Sequence, residues 1–409
     1  MSRIHHKQLS NGMWLVAEPM DDVQSVSMTM LLPAGVVSEP DDRQGVAALL
    51  AEMICRGAGD LDARAHSDAL DRLGVQRSTN VETHHLSVSA SMIGSNLAEA
   101  LPLLCDMVRR PRLEPATLDP SRDLALQALC ALDDEPQQKV FLDLRRRHYP
   151  QPIGRSPLGV AAHLESIDGA AVQAFRERAF VPEGTLLGFA GRFDVAELED
   201  LVERLLGDWQ GAAPAPAPAS DAPRGYHHEQ AETSQVHIGL LYDAVPEPDD
   251  RSVLCRTAIA VLSGGMGSRL FTEVREKRGL CYAVYAGYVG QRDYGAVLSY
   301  AGTTTPTRAQ DTLDVLRGEH ERMREGVEDD EFDRAVIGMK SRLVMQGEST
   351  AARARAVVTD QFIYGRPRSL DEQTKEIDGV TEEALRRYAA EHPPGPMTIV
   401  TIGPKALRS

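Results

Sequence analysis

The pentapeptide EPDDR occurs at Glu39–Arg43 and again at Glu247–Arg251; the tripeptide IDG occurs at Ile167–Gly169 and again at Ile377–Gly379. The displacements are 208 and 210 residues. Each IDG is followed by a helical stretch, a proline-containing break and an apolar run that reads as a strand, Leu186–Ala190 in the first copy and Met397–Ile402 in the second. Two landmarks at nearly one displacement, with the same elements after them, predict an internal duplication rather than a chance match. Between the copies lies Gln210–Arg224, QGAAPAPAPASDAPR, which is too rich in proline and alanine to build a core and reads as an extended spacer. At 409 residues the chain also exceeds what one compact core holds. The expected architecture is therefore an α+β fold of two homologous halves facing each other as a clamshell. Each half would be a two-layer α/β unit, an antiparallel-rich sheet packed with helices. The expected boundaries are residues 1–209, a linker over 210–230, and residues 231–409.

Leu9–Val16 predicts strand, Asn-Gly turn, strand. Val26–Leu32 reads as a strand stopped by Pro33. EPDDR then opens a helix, with Asp41 or Asp42 as its N-cap, and Gln44–Arg56 is apolar on nearly every side, which predicts a buried helix. Asp60–Leu73, Asn96–Arg109 and Asp119–Leu132 read as helices, Val75–Met92 as strands, and Arg145–Pro150 as loop. The second half is expected to begin with the strand Gln235–Tyr242.

The net charge of −16 argues against nucleic acid as a partner. The five cysteines are odd in number and scattered, as expected of reduced thiols in a cytoplasmic protein rather than a disulfide frame or zinc ribbon. No apolar run approaches the ~20 residues of a membrane span.

The chemistry should lie in Ser263–Tyr288, SGGMGSRLFTEVREKRGLCYAVYAGY. Gly264, Gly265 and Gly267 free the backbone for a tight turn or for close approach to a ligand. Ser268–Lys277 reads as a helix ended by Gly279, and Cys281–Tyr288 as a strand. Arg275 and Tyr282 can then face one space. Taken singly, Arg275, Lys277 and Arg278 could simply cap the helix and Tyr282 fill a core.

The string SRLFTEVREKRGLCYAVY resembles the C-terminal block of the insulinase and mitochondrial-processing-peptidase family, the pitrilysin-like zinc peptidases. The hairpin at Leu9–Val16, GVAALLAEMICRGA, ARAHSDALDRLG and the duplicated halves resemble the family as well, so the resemblance spans essentially the whole chain. It implies that active members carry an inverted motif, His-x-x-Glu-His, on the first buried helix, in a context like G-L-A-H-F-L-E-H-M. Residues at i and i+4 share a helix face, so two imidazoles reach one zinc while the Glu activates water. Here the register Gly45–Met53 places Ala48 at the first His, Ala51 at the Glu and Glu52 at the second His. The later Glu ligand falls near Gln127–Ala128, and neither residue is a Glu. Glu52 alone does not make a zinc site and is expected to pair with Arg56, one turn on. His5–His6 is terminal, His84–His85 would point to opposite faces of a strand, and His227–His228 has no partner at ligand spacing.

The resemblance further implies that Arg275 and Tyr282 match a family pair that holds the substrate backbone and stabilises the oxyanion, both being donors to a carbonyl. The chain is thus expected to be inactive alone, with no metal of its own. It would be the non-catalytic subunit of a heterodimeric zinc peptidase, binding peptide through Arg275, Tyr282 and the Gly264, Gly265 and Gly267 loop beside a zinc-bearing homologous subunit; a homodimer stays open. Two alternatives remain: a scaffold or peptide-binding protein of the same fold with no role in proteolysis, and an enzyme with an unconventional metal site around Glu52.

Overall fold

The computed structural model describes residues 4–213 and 219–408; residues 214–218, inside the proline/alanine spacer, lie outside the described residues. The first half runs β1 (His5–Gln8), β2 (Trp14–Pro19), β3 (Ser25–Leu32), α1 (Val46–Met53), β4 (Gly57–Ala58), β5 (Leu61–Asp62) and α2 (Ala63–Arg72). It continues β6 (Gln76–Val81), β7 (Leu86–Ile93), α3 (Leu97–Arg109), α4 (Leu118–Cys130) and α5 (Pro136–His148). Then come α6 (Ala161–Ser166), α7 (Gly169–Ala179), β8 (Leu186–Gly191) and α8 (Val195–Leu206). The second half runs β9 (Tyr226–Gln230), β10 (His237–Ala244), α9 (Ser252–Ser263), β11 (Cys281–Gly290), β12 (Gly295–Thr303) and α10 (Ala309–Arg322). It closes with α11 (Asp329–Gly347), α12 (Thr350–Tyr364), α13 (Leu370–Asp378), α14 (Glu382–Glu391) and β13 (Thr398–Gly403).

The two main sheets carry the duplication openly. The first has the order β1-β2-β8-β3-β7-β6, the second β11-β12-β10-β13-β9. Read from the other edge, β9-β13-β10-β12-β11 reproduces β2-β8-β3-β7-β6 strand for strand. In each sheet a single pair is parallel, β2 with β8 and β13 with β9, and the rest are antiparallel. The chain is thus an α+β protein of two homologous halves. The stretch read from sequence as linker ends in β9, which is the counterpart of β2 and the opening strand of the second half.

The compact units do not follow the halves. One comprises residues through Ala131, Gln151–Ser220 and Gln346–Ser369; the other Leu132–Pro150, Asp221–Met345 and Leu370 onward. The first unit therefore takes α12 onto the face of β2, β3 and β8, and the second takes α5 onto β10 and β13. A glycine makes room each time. A Cβ on Gly188 would sit 2.4 Å from Val358 Cγ1, and one on Gly239 2.4 Å from Val140 Cγ1.

Helix α5 corrects the loop expected at Arg145–Pro150. Its buried residues, Val140, Leu144 and His148, fall four apart among charged neighbours, so its apolar stripe is too thin to be seen in composition. In α1, Val46, Ala47, Leu49, Leu50, Ala51 and Met53 are all buried, as its all-round apolar character predicts. Its cap differs from expectation. Gly45 holds the N-cap position with φ 108°, and Glu39 Oε1 accepts from Gly45 N and Ala47 N at 3.0 Å each. Asp41 instead pairs with Arg155. Burial raises the Glu39 carboxyl to about pKa 7, against these two backbone donors and Arg155, which lower it.

Candidate functional site

The stretch singled out in the sequence is built in the second unit. Helix α9 stops at Ser263, whose hydroxyl accepts from Ala286 N of β11 at 2.8 Å. The loop then folds on itself: Ser268 Oγ donates to Gly265 O at 2.6 Å, and Arg342 Nη1 donates to Gly264 O at 3.3 Å. Gly264, Gly265 and Gly267 line a groove of about 310 Å³ with Arg334, Ile337 and Arg342 of α11. Only Gly264 is demanded by packing, since its Cβ would lie 2.2 Å from Ala260 O, while Gly265 faces open space.

The expected helix over Ser268–Lys277 is π-helical at Phe271–Glu276, with Lys277 N donating to Thr272 O, five residues back. Such turns are rare and recur at functional sites. The turn separates the three basic residues. Lys277 and Arg278 both clamp Glu273, at 2.7 and 2.5 Å, and hold its carboxyl below the usual range. These two cap the turn. Arg275 stacks on the Phe271 ring, 4.8 Å from its centroid, and pairs with no carboxylate among the described residues.

Past Gly279, β11 begins with a bulge. Cys281 pairs with Thr303 and Ala283 with Gly302, which leaves Tyr282 as the extra residue. A bulge turns a side chain out of the regular alternation, and Tyr282 is 63 % exposed. Arg275 acts on the Cys281 thiol, opposing the burial that pushes it up to about 11. Arg275 is thus within electrostatic reach of Cys281, the neighbour of Tyr282, and no hydrogen bond joins Arg275 to Tyr282 among the described residues. Tyr282 lines a cavity of about 500 Å³ together with Glu135, Phe141, His237 and Tyr300. The glycine loop lies elsewhere: α9 packs on the β11 face that carries Val284 and Ala286, whereas Gly239 in β10 faces α5 and the cavity side.

The positions matched to a zinc site do not fit the ion. Ala48 and Ala51 offer methyl groups, and Glu52 is drawn 3.6 Å from Arg56, the partner expected from the spacing. Helix α1 does pack on α4, but Gln127 and Ala128 are exposed there and add no carboxylate. Among the described residues no group of three or more His, Cys, Asp or Glu side chains could hold a metal ion. His228 is tied to Thr401 Oγ1 at 2.9 Å, and His84 and His85 pack on Phe362.

Sequence reasoning missed the cavity beneath Tyr282. His237, Tyr300 and Phe141 come from β10, β12 and α5, and no local pattern links them. His237 Nδ1 lies 2.7 Å from the Tyr300 hydroxyl, and Phe141, Tyr285 and Tyr300 form a ring cluster with centroids 5.6–6.1 Å apart.

Residues 15–159 match the family described as Insulinase (Peptidase family M16), and residues 166–339 match its Peptidase M16 inactive domain. An uncharacterized zinc protease of Streptomyces coelicolor is 26 % identical over 413 residues, covering 98 % of this chain and 90 % of that protein. Among solved structures, a peptidase M16 inactive domain from Pseudomonas fluorescens superposes with a TM-score of 0.88 at 21 % identity, covering 100 % of this chain and 99 % of that one. A protease from Helicobacter pylori gives 0.89 at 17 % identity, covering 99 % and 100 %. With both of its halves matched and its duplicated sheets in place, the chain belongs to the insulinase family of peptidases, family M16.

Proposed function

We propose that this chain is the non-catalytic subunit of a two-chain zinc peptidase, and that it lends Arg275 and Tyr282 to a site whose metal is held by a homologous partner. The observation that carries this reading is an asymmetry between two sets of positions. Methyl groups stand at Ala48 and Ala51 and Glu52 is engaged by Arg56, whereas the Arg275 guanidinium has no carboxylate partner among the described residues and Tyr282 is turned outward by its bulge. A guanidinium and a phenol held this way can donate to a peptide carbonyl as it gains negative charge. The open backbone at Gly265, away from the Tyr282 cavity, would offer an extended peptide a second and separate contact.

The test mixes the purified chain with a homologous chain carrying His-x-x-Glu-His and follows hydrolysis of a peptide library. Hydrolysis is expected only from the mixture. Tyr282→Phe or Arg275→Ala should lower kcat about 100-fold with little change in KM, as for loss of one oxyanion donor. A rate indifferent to both substitutions would favour the scaffold reading, and hydrolysis by this chain unaided would overturn the proposal.

A further inference from the structure

The cavity beneath Tyr282 is lined by a histidine with one ring nitrogen that no described residue hydrogen-bonds. His237 is 8 % exposed, and its Nδ1 is engaged by the Tyr300 hydroxyl. Its other ring nitrogen, Nε2, has no hydrogen-bond partner among the described residues, yet it is not one of the polar atoms sealed from solvent without a partner. His237 lines the cavity, so Nε2 is the polar atom it offers there.

The proton on that nitrogen can be placed. Burial moves the Tyr300 phenol well above its ordinary range, so it stays an O–H, and burial lowers His237, which keeps the ring neutral. Among the described residues the Tyr300 hydroxyl has one hydrogen-bond partner, His237 Nδ1. A buried hydroxyl donates where it can, so Tyr300 donates to Nδ1 and the single imidazole proton sits on Nε2. The cavity is therefore floored by an N–H donor and walled in part by aromatic rings, with the amides of Gln137, Gln138 and Gln235 also in its lining. Phe141 and Tyr300 stand edge to face at 5.6 Å, and His237 stacks on Tyr300 at 6.1 Å. Glu135 stands at its rim, exposed.

These features select an occupant. Lysine and arginine side chains carry only donors and would leave Nε2–H unanswered. A carboxylate would meet Glu135. Serine and threonine have an acceptor but no ring to lie against Phe141 and Tyr300. A planar aromatic ring with an acceptor at its tip satisfies both the walls and the floor. We propose that this cavity is a side-chain subsite for tyrosine in the bound peptide, with His237 Nε2–H donating to the phenol oxygen and Tyr300 holding the imidazole in that tautomer. The inference rests on the peptide-binding reading above and deepens it by naming what the site prefers.

The experiment uses the full chain with ¹⁵N-labelled histidines and two probes, N-acetyl-tyrosine amide and N-acetyl-phenylalanine amide, followed by imidazole NMR and titration. The tyrosine probe is expected to shift the His237 Nε2 signal and to bind about 5–10-fold more tightly than the phenylalanine probe, the discrimination of one neutral hydrogen bond. His237→Phe should abolish that difference while leaving aromatic binding in place. His237→Gln, which keeps a donor, should restore part of it, an outcome a merely structural role would not give. Equal binding of the two probes, or a His237 signal unmoved by either, overturns the subsite. The two readings fail separately: the titration needs no partner and no catalysis, whereas hydrolysis indifferent to Arg275 and Tyr282 would sink the subunit role and leave the titration result standing.

Discussion

Gly264 and Gly265 are neighbours with opposite physical reasons to be glycine. A Cβ on Gly264 would press on Ala260 O at 2.2 Å, whereas one on Gly265 would meet nothing within 4 Å. Gly264→Ala should therefore cost about 1–3 kcal/mol in urea unfolding, and Gly265→Ala should stay within about 0.5 kcal/mol. Any loss of peptide binding in Gly265→Ala would then report on the loop's path and not on its stability. At this scale the sequence was legible for the pairing of Glu52 with Arg56, one turn on. It was not legible where the backbone leaves its regular period. Neither the π-turn at Phe271–Glu276 nor the bulge at Tyr282 has a compositional mark, yet together they decide that Arg275 is left uncapped and Tyr282 is turned outward. His237 and Tyr300 lie 63 residues apart and meet only because β10 pairs with β12.

Helix α12 is an element whose position no local pattern predicts, and an ion pair marks it. Arg353 meets Glu18 of β2 at 2.8 Å, both side chains being 3 % exposed. Breaking a pair so deeply buried strands a charge, so Arg353→Ala should destabilise the protein by roughly 3–5 kcal/mol. Replacing both partners with apolar residues, Glu18→Leu with Arg353→Met, should recover most of that in the same denaturant titration. Most elements of the first half were readable from periodicity, α1 above all, whereas α9, α10, α11 and β12 of the second half had no expectation attached. Helix α5 was not readable, because Val140, Leu144 and His148 make a stripe one residue wide. The repeated IDG also diverges at this scale. Asp168 caps α7, accepting from Ala171 N at 2.8 Å, whereas Asp378 ends α13 and pairs with Lys340, and Thr381 caps the helix that follows. The tripeptide marked the duplication correctly because Ile167 and Ile377 are both buried, although the aspartates do different jobs.

Across the whole molecule, the duplication was visible in two short strings, while the exchange of helices between the compact units was not, since nothing local distinguishes a helix that crosses over. Buried groups in the two units also carry opposite acid–base loads, Glu39 in the first against His148 and His320 in the second. In the first, Glu39 keeps its proton to about pH 7, where an exposed carboxyl loses it near 4.5. The stabilisation is full below pH 4.5 and is lost as pH rises through 7, on the order of 3 kcal/mol. In the second, burial lowers His148 to about 4 and His320 to about 3 from 6.5, so stability is full above pH 6.5 and is lost as pH falls toward those values. Segment-resolved hydrogen exchange should show the first unit loosening toward pH 8 and the second toward pH 5, with Glu39→Gln removing only the alkaline effect. The crossing of α12 has a further consequence during synthesis. The last strand of the first sheet ends at Gly191 and its covering helix at Tyr364, so a ribosome adding 5–20 residues per second leaves that apolar face bare for roughly ten to thirty seconds. Throughout that interval the nascent polypeptide presents a finished but unroofed sheet, the kind of surface a chaperone must shield.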